Sequence, residues 1–171
     1  QDYVFDSIRV SLLETETVEK FNKAQFQVEF RKMTSPSVML NWSRLRGQIE
    51  KGVVSTRLML YDEQNKPRYI LPVTYVNDPD KPYISLQDTI LLNKTTFQVN
   101  EGNRVYLNPK KFQGSNLILS QGSESISVHA SDQAESGLPL TIEIHDFNLE
   151  SLTGMIFDST IITGVVNGKF S

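Results

Sequence analysis

The chain has 171 residues, of which 39% are apolar and 22% charged, with a net charge of −3 and no cysteine. One domain with a sizeable core fits that length, and the balance is too apolar for a disordered chain and too polar for a membrane-embedded one. The missing cysteines exclude disulfides and thiolate metal sites. The scattered Lys and Arg, with Lys110-Lys111 the nearest thing to a cluster, argue against a nucleic-acid stripe.

No apolar run approaches the roughly 20 residues that a spanning helix needs. The chain begins at Gln1 without Met, shows no signal peptide, and stops at Ser171 inside the strand-like "TIITGVVNGKFS". The expectation is a single β-rich segment, 1–171, excised from a longer chain.

Period-two alternation dominates. "AQFQVEF" places Phe26, Val28 and Phe30 on one face and Gln25, Gln27 and Glu29 on the other. "VVSTRLMLYD", "RYILPVTYV", "PYISLQD", "TILLNKTTFQV" and "SNLILS" read as further strands, with Leu58, Leu60, Leu71, Val73, Leu117 and Leu119 as apolar-face residues. "ESISVHA" sets Ile126, Val128 and Ala130 against Ser125, Ser127 and His129. "LTIEIHDF" sets Leu140, Ile142 and Ile144 against Thr141, Glu143 and His145.

Polar clusters such as "DEQNKP", "NDPDKP", "NEGNR" and "QGSE" recur about every ten residues, the punctuation of antiparallel strands joined by short turns. Pro72 and Pro139 lack a ladder N–H, which predicts an edge, a strand start or a bulge at each. Helix is scarce. In "NLESLTG", Asn148 can cap, Leu149 and Leu152 share a face, and Gly154 can terminate. A second candidate, "ETETVEKFNKA", competes with a long hairpin connection.

The sites of possible chemistry are few. His145 and Asp146 are the only His-Asp neighbours, and adjacent strand residues point to opposite faces, so the two are not expected to pair. His129 also lies on a polar phase, and two isolated histidines make no metal site. GxSxG, SxxK and phosphate-loop motifs are absent. Asp62, Asp78 and Asp80 lie in loops without calcium-loop spacing and read as solvated turns. Two sequons, at Asn41 and Asn93, are expected by chance in this composition. Trp42 and tyrosines 61, 69, 75 and 83 do not recur at a spacing that would line up a stacking platform.

No enzyme, metal or cofactor is expected on this reading. What remains is the apolar face, which fits either a closed β-sandwich core or an open trough.

The run "GSNLILSQGSESISVHASDQAESGLPLTIEIHDFNLESLTGMIFDSTIITGVVNGKFS" is similar to the repeated blocks of the TamB family and the wider AsmA-like superfamily. A strand ends in the polar turn "SQGSESISV". A second apolar strand leads into Phe147, Leu149 and Leu152, and a "GxVNGxF" strand closes the block from Gly164 to Phe170. "YVFDSIRVSL", "KGVVSTRLMLYDEQNKPRYILPVTY" and "PYISLQDTILLNKTTFQVNEGNRVYL" resemble the family's strand, hairpin and strand pattern. The likeness covers most of the chain, through loose motifs in a shared order.

It implies an all-β fold with a curved, mostly antiparallel, U-shaped sheet (a β-taco) and an apolar lumen, with one or two short helical turns. It further implies a parent anchored in the inner membrane of a Gram-negative envelope, spanning the periplasm. Such a parent moves phospholipid between inner and outer membrane and supports outer-membrane protein biogenesis with a BamA-like partner, TamA. The anchor and the C-terminal end of such a chain are expected outside this segment, so contact with TamA is expected through the parent chain and is not placed on it. Pro72 and the loop from Asn77 to Pro82 are expected to interrupt the groove.

Under this reading Phe26, Val28, Phe30, Leu58, Leu60, Leu71, Val73, Leu117, Leu119, Ile126, Val128, Leu140, Ile142 and Ile144 provide bulk apolar contact to phospholipid acyl chains. Each methylene removed from water contributes about 0.8 kcal/mol, so a tail needs continuous apolar surface and no headgroup pocket. The rival readings are a strand-binding, chaperone-like platform for outer-membrane proteins and a plain secreted β-sandwich binding module.

Overall fold

A computed structural model describes residues 4–16, 23–34, 39–107, 114–130, 140–150 and 163–170. The strands are β1 (Val4–Phe5), β2 (Ile8–Glu16), β3 (Lys23–Phe30), β4 (Met33–Thr34), β5 (Met39–Leu40), β6 (Ser43–Glu50), β7 (Val53–Tyr61), β8 (Pro67–Val76), β9 (Tyr83–Leu86), β10 (Thr89–Leu92), β11 (Thr95–Val99), β12 (Val105–Tyr106), β13 (Asn116–Gln121), β14 (Glu124–Ala130), β15 (Leu140–Asn148) and β16 (Val165–Phe170). Described helix is confined to Leu149 and Glu150, where Asn148 Oδ1 accepts the Glu150 N–H at 3.0 Å as the expected cap. Leu152 and Gly154 lie outside the described residues, as do Pro139 and Lys110-Lys111.

Thirteen strands form one antiparallel sheet along the path β16-β15-β14-β13-β11-β10-β8-β7-β6-β3-β2, with β9 and β12 branching from β8. This is an all-β fold built on a single curved, open sheet; the only other described sheet is the three-stranded β1-β4-β5. Those short strands continue β2, β3 and β6 past a common break at residues 6–7, 31–32 and 41–42. "ETETVEKFNKA" is strand at both ends, through Glu16 and again from Lys23.

Tight turns set the register. Lys51 and Gly52 (φ 48° and 81°) join β6 to β7, and Asn93 and Lys94 (φ 46° and 72°) join β10 to β11. Positive φ at both central residues gives the turn a twist that matches a hairpin. "TILLNKTTFQV", expected as one strand, is therefore a hairpin, because Asn93 tolerates the left-handed conformation and Lys94 adopts it too.

Pro72 corrects a second expectation. It sits inside β8, buried, opposite Arg57 on β7. On its other side the ladder forks: β10 pairs with β8 through Ile70, and β9 pairs from Val73 onward. The Pro72 carbonyl accepts the Gln87 N–H at 3.2 Å, so its nitrogen faces the same gap, where no ladder donor is required.

The two branches meet β13 separately, through Val99↔Leu119 and through the bridge Arg104↔Asn116. Two asparagines seal the opening. Asn103, only 6% exposed, mimics a strand partner: its Oδ1 accepts Leu86 N–H (2.8 Å) and its Nδ2 donates to Leu86 O (2.8 Å) and Asn100 O (2.9 Å). Asn100 Oδ1 accepts Ile118 N–H at 2.8 Å.

The core lies on the concave side of the β8–β15 half. Ile90, Phe97, Val99 and Phe147 are buried, with Leu71, Leu86, Leu92, Leu117, Leu119, Ile126 and Ile144 packed around them. Phe97 and Phe147 stack at 5.9 Å between ring centroids with planes 5° apart. Their strands, β11 and β15, are separated by β13 and β14, about 14 Å along a flat sheet. Only a sheet curled toward this face brings the two rings together.

Candidate functional site

The pairings place all fourteen apolar-face residues on one side of the sheet. One row runs Val10–Val28–Leu45–Leu58 and on to Leu71. A second, on the far side of β10, runs Val99–Leu119–Ile126–Ile144. The neighbouring rows carry Phe26 with Val73, Phe30 with Leu60, and Leu117 with Val128 and Ile142. Leu140 lies opposite Ala130.

The face is not uniform. Leu71, Leu117, Leu119, Ile126 and Ile144 belong to the packed core. Phe26, Val28, Phe30, Leu58, Leu60, Val73, Val128 and Leu140 are half-buried, and Ile142 is 42% exposed. Toward β2 the face opens: Ile8, Val10 and Leu12 are 61%, 72% and 65% exposed. Sequence reasoning missed these three, although "SIRVSLL" carries the same alternation. The result is a trough, filled by its own side chains around Phe97 and Phe147 and open from β2 to β7. At Gly47 the floor carries no side chain, and the Phe26 ring occupies the place a Cβ would take. The loop from Asn77 to Pro82 connects β8 to β9, where Asp78 Oδ1 accepts the Asp80 and Lys81 N–H groups at 2.8 and 3.0 Å.

No protein-family model, curated protein or solved structure matches the chain.

His145 and Asp146 do pair, contrary to strict alternation: His145 Nδ1 lies 3.3 Å from Asp146 Oδ2. The cause is a β-bulge. Between the pairs Ile144↔Gly168 and Phe147↔Val166, two residues on β15 face the single Asn167 on β16. Asp146 turns to φ 45°, its N–H donates to Asn167 Oδ1 at 2.7 Å, and its carboxylate swings to the side of His145. The same extra residue returns Phe147 to the concave face, where it is fully buried. The His145 and Asp146 side chains are 70% and 46% exposed, so the pair sits in solvent.

His129 Nε2 lies 3.8 Å from Glu143 Oε1 on the polar face. A hydrogen bond from Lys169 and, secondarily, the charges of Lys169 and His129 hold the Glu143 carboxyl below its usual range. Asp62 braces its turn: Oδ1 accepts Gln64 and Lys66 N–H groups, and Oδ2 meets Lys94 Nζ at 2.7 Å. Among the described residues no three His, Cys, Asp or Glu side chains gather as a metal site, and no helix is long and apolar enough to cross a membrane. The aromatics form separate pairs, Trp42 with Tyr61 at 4.8 Å and Tyr83 with Tyr106 at 5.8 Å.

Register also gathers what looked scattered. Arg9, Arg44, Arg46 and Arg57 share the polar side of β2, β6 and β7. Alternation alone puts Arg44 and Arg46 on one face; their neighbours emerge only from strand pairing.

Proposed function

We propose that this chain is a segment of a TamB/AsmA-like protein, and that its open apolar face shields phospholipid acyl chains as they cross the periplasm between the inner and outer membranes. The observation that carries this reading is the continuity of the apolar face across the curved sheet, left open where Ile8, Val10 and Leu12 stand more than 60% exposed. Strands of eight or nine residues run about 26–30 Å, longer than a common acyl tail, and the open strands lie side by side about 4.8 Å apart. Aliphatic and Phe surface takes up any such tail at about 0.8 kcal/mol per methylene.

The test is mass spectrometry of organic extracts from the purified chain, alongside the Ile142→Arg and Val10→Arg variants. Phospholipid should co-purify with the parent sequence and fall in the variants. Both positions are exposed, so the variants should keep the fold. Lipid-free protein, or equal lipid in both variants, refutes the reading.

A second reading rests on the sheet's edges. Among the described residues β2 ends the sheet with a nine-residue edge, against which an extended outer-membrane-protein strand adds through main-chain hydrogen bonds. Peptide binding that survives Val10→Arg would favour it.

A further inference from the structure

Two arginines face each other across adjacent strands. Arg46 on β6 and Arg57 on β7 are directly opposite, both exposed on the polar side. Side chains so placed have Cβ atoms about 4.5–5.5 Å apart, and like charges there are destabilising unless something answers them. The available counter-charge is already engaged: in the next row Glu29 lies between Arg9 and Arg44 and accepts Arg44 Nε at 2.8 Å. Arg46 Nε donates to the neutral Gln27 Oε1 at 2.7 Å, which leaves its terminal N–H groups for another acceptor. Among the described residues the Arg57 side chain has no hydrogen-bond or ion-pair partner.

Beside the pair lies a depression of about 510 Å³ whose lining includes Gln25, Arg46, Gln48, Ser55, Arg57 and Gln87 and no carboxylate. The chain as a whole is net negative, so this arrangement opposes the overall charge.

We propose that Arg46 and Arg57 form a binding site for a phosphate monoester or diester group. Two guanidinium forks on neighbouring strands reach one tetrahedral oxyanion together, each offering paired N–H donors. The amide of Gln87 and the hydroxyl of Ser55 supply further donors. The site lies on the polar side of the sheet and stands whether or not the apolar face carries lipid.

The test titrates the 171-residue chain with inorganic phosphate by calorimetry at low ionic strength. In parallel it measures sedimentation with phosphatidylcholine vesicles, with or without phosphatidylglycerol. Saturable binding that weakens with salt is expected, reduced roughly tenfold or more by Arg57→Gln or by Arg46→Gln, since a charged hydrogen bond is lost. Arg104→Gln, on the separate β9–β12 branch, should leave binding unchanged. Arginine-dependent phosphate heat without sedimentation identifies a free phosphate ligand; arginine-dependent sedimentation with phosphatidylglycerol identifies a headgroup.

Melting gives an independent readout. Phosphate should raise the melting temperature of the parent chain and not that of Arg57→Gln, whose phosphate-free form should melt higher than the parent because the repulsion is gone. Absence of saturable binding, equal binding by the glutamine variants, or an equal loss in Arg104→Gln overturns the proposal.

Discussion

Asn103 closes the fork between the two branches of the sheet, and replacing it with leucine tests whether that closure matters. Leucine keeps the same number and branching of side-chain heavy atoms and removes every polar atom. Three hydrogen bonds of 2.8, 2.8 and 2.9 Å disappear, leaving Leu86 N–H, Leu86 O and Asn100 O without the partner they have now. At about 1 kcal/mol net for each, the loss is about 3 kcal/mol. Leu86 is half-buried, so water reaches part of the exposed ladder and holds the loss below three full desolvation penalties. For a chain of this length that corresponds to a fall of roughly 6–12 °C in melting temperature.

Urea denaturation of the parent and of Asn103→Leu measures the difference, and amide exchange reports its location: Leu86 should exchange faster while the β13–β14 hairpin stays protected. A loss under about 1 kcal/mol with unchanged Leu86 exchange would refute the idea that a side chain stands in for a strand at the fork.

Phe147→Ala, at a fully buried ring, should cost about 3–5 kcal/mol by denaturation. A cycle with Phe97→Ala should show a coupling of about 0.5–1.5 kcal/mol from their stacking. Gly47→Ala should cost about 1–3 kcal/mol because the Phe26 ring must leave its seat, and adding Phe26→Ala should recover part of that cost. The Asp62 carboxyl is held down first by the Lys94 hydrogen bond and then by the Lys66 amide, with a lesser pull from the Gln64 amide, against the opposing effect of desolvation. Carbon NMR should therefore place its titration midpoint below 3.8, and Lys94→Met should raise it. Because the folded value is the lower one, Asp62 contributes stability above its unfolded value. That contribution fades as pH falls through the folded one, and Asp62→Asn should lack this acid-side loss.

Alternation was enough to read the sheet. Phe26, Val28 and Phe30 share a face with Leu58, Leu71 and Ile144 because each strand keeps its phase and each tight turn keeps its register. What alternation cannot carry is curvature. Leu119 and Val28 look alike in sequence, yet Leu119 packs against the buried core and Val28 lines the open part, since the buried cluster gathers around Phe97 and Phe147, away from β3. An edge, a strand start or a bulge is what Pro72 predicts from sequence, whereas its missing N–H falls at a fork built by residues 14 and more positions downstream. Arg57 has no basic neighbour along the chain; its partner Arg46 arrives through the β6–β7 hairpin.

The bulge at His145 and Asp146 acts as a parity switch for everything after it. Removing one of these two residues would leave a single residue opposite Asn167, restore strict alternation and keep Phe147 on the concave side beside Phe97. Removing both would turn Phe147 toward water and Asn148 toward the seat beside Phe97, and every later residue of the strand would change sides with them. The stretch therefore accommodates one residue or two between Ile144 and Phe147 but not none, a rule set by the backbone count rather than by the chemistry of the residues that occupy it.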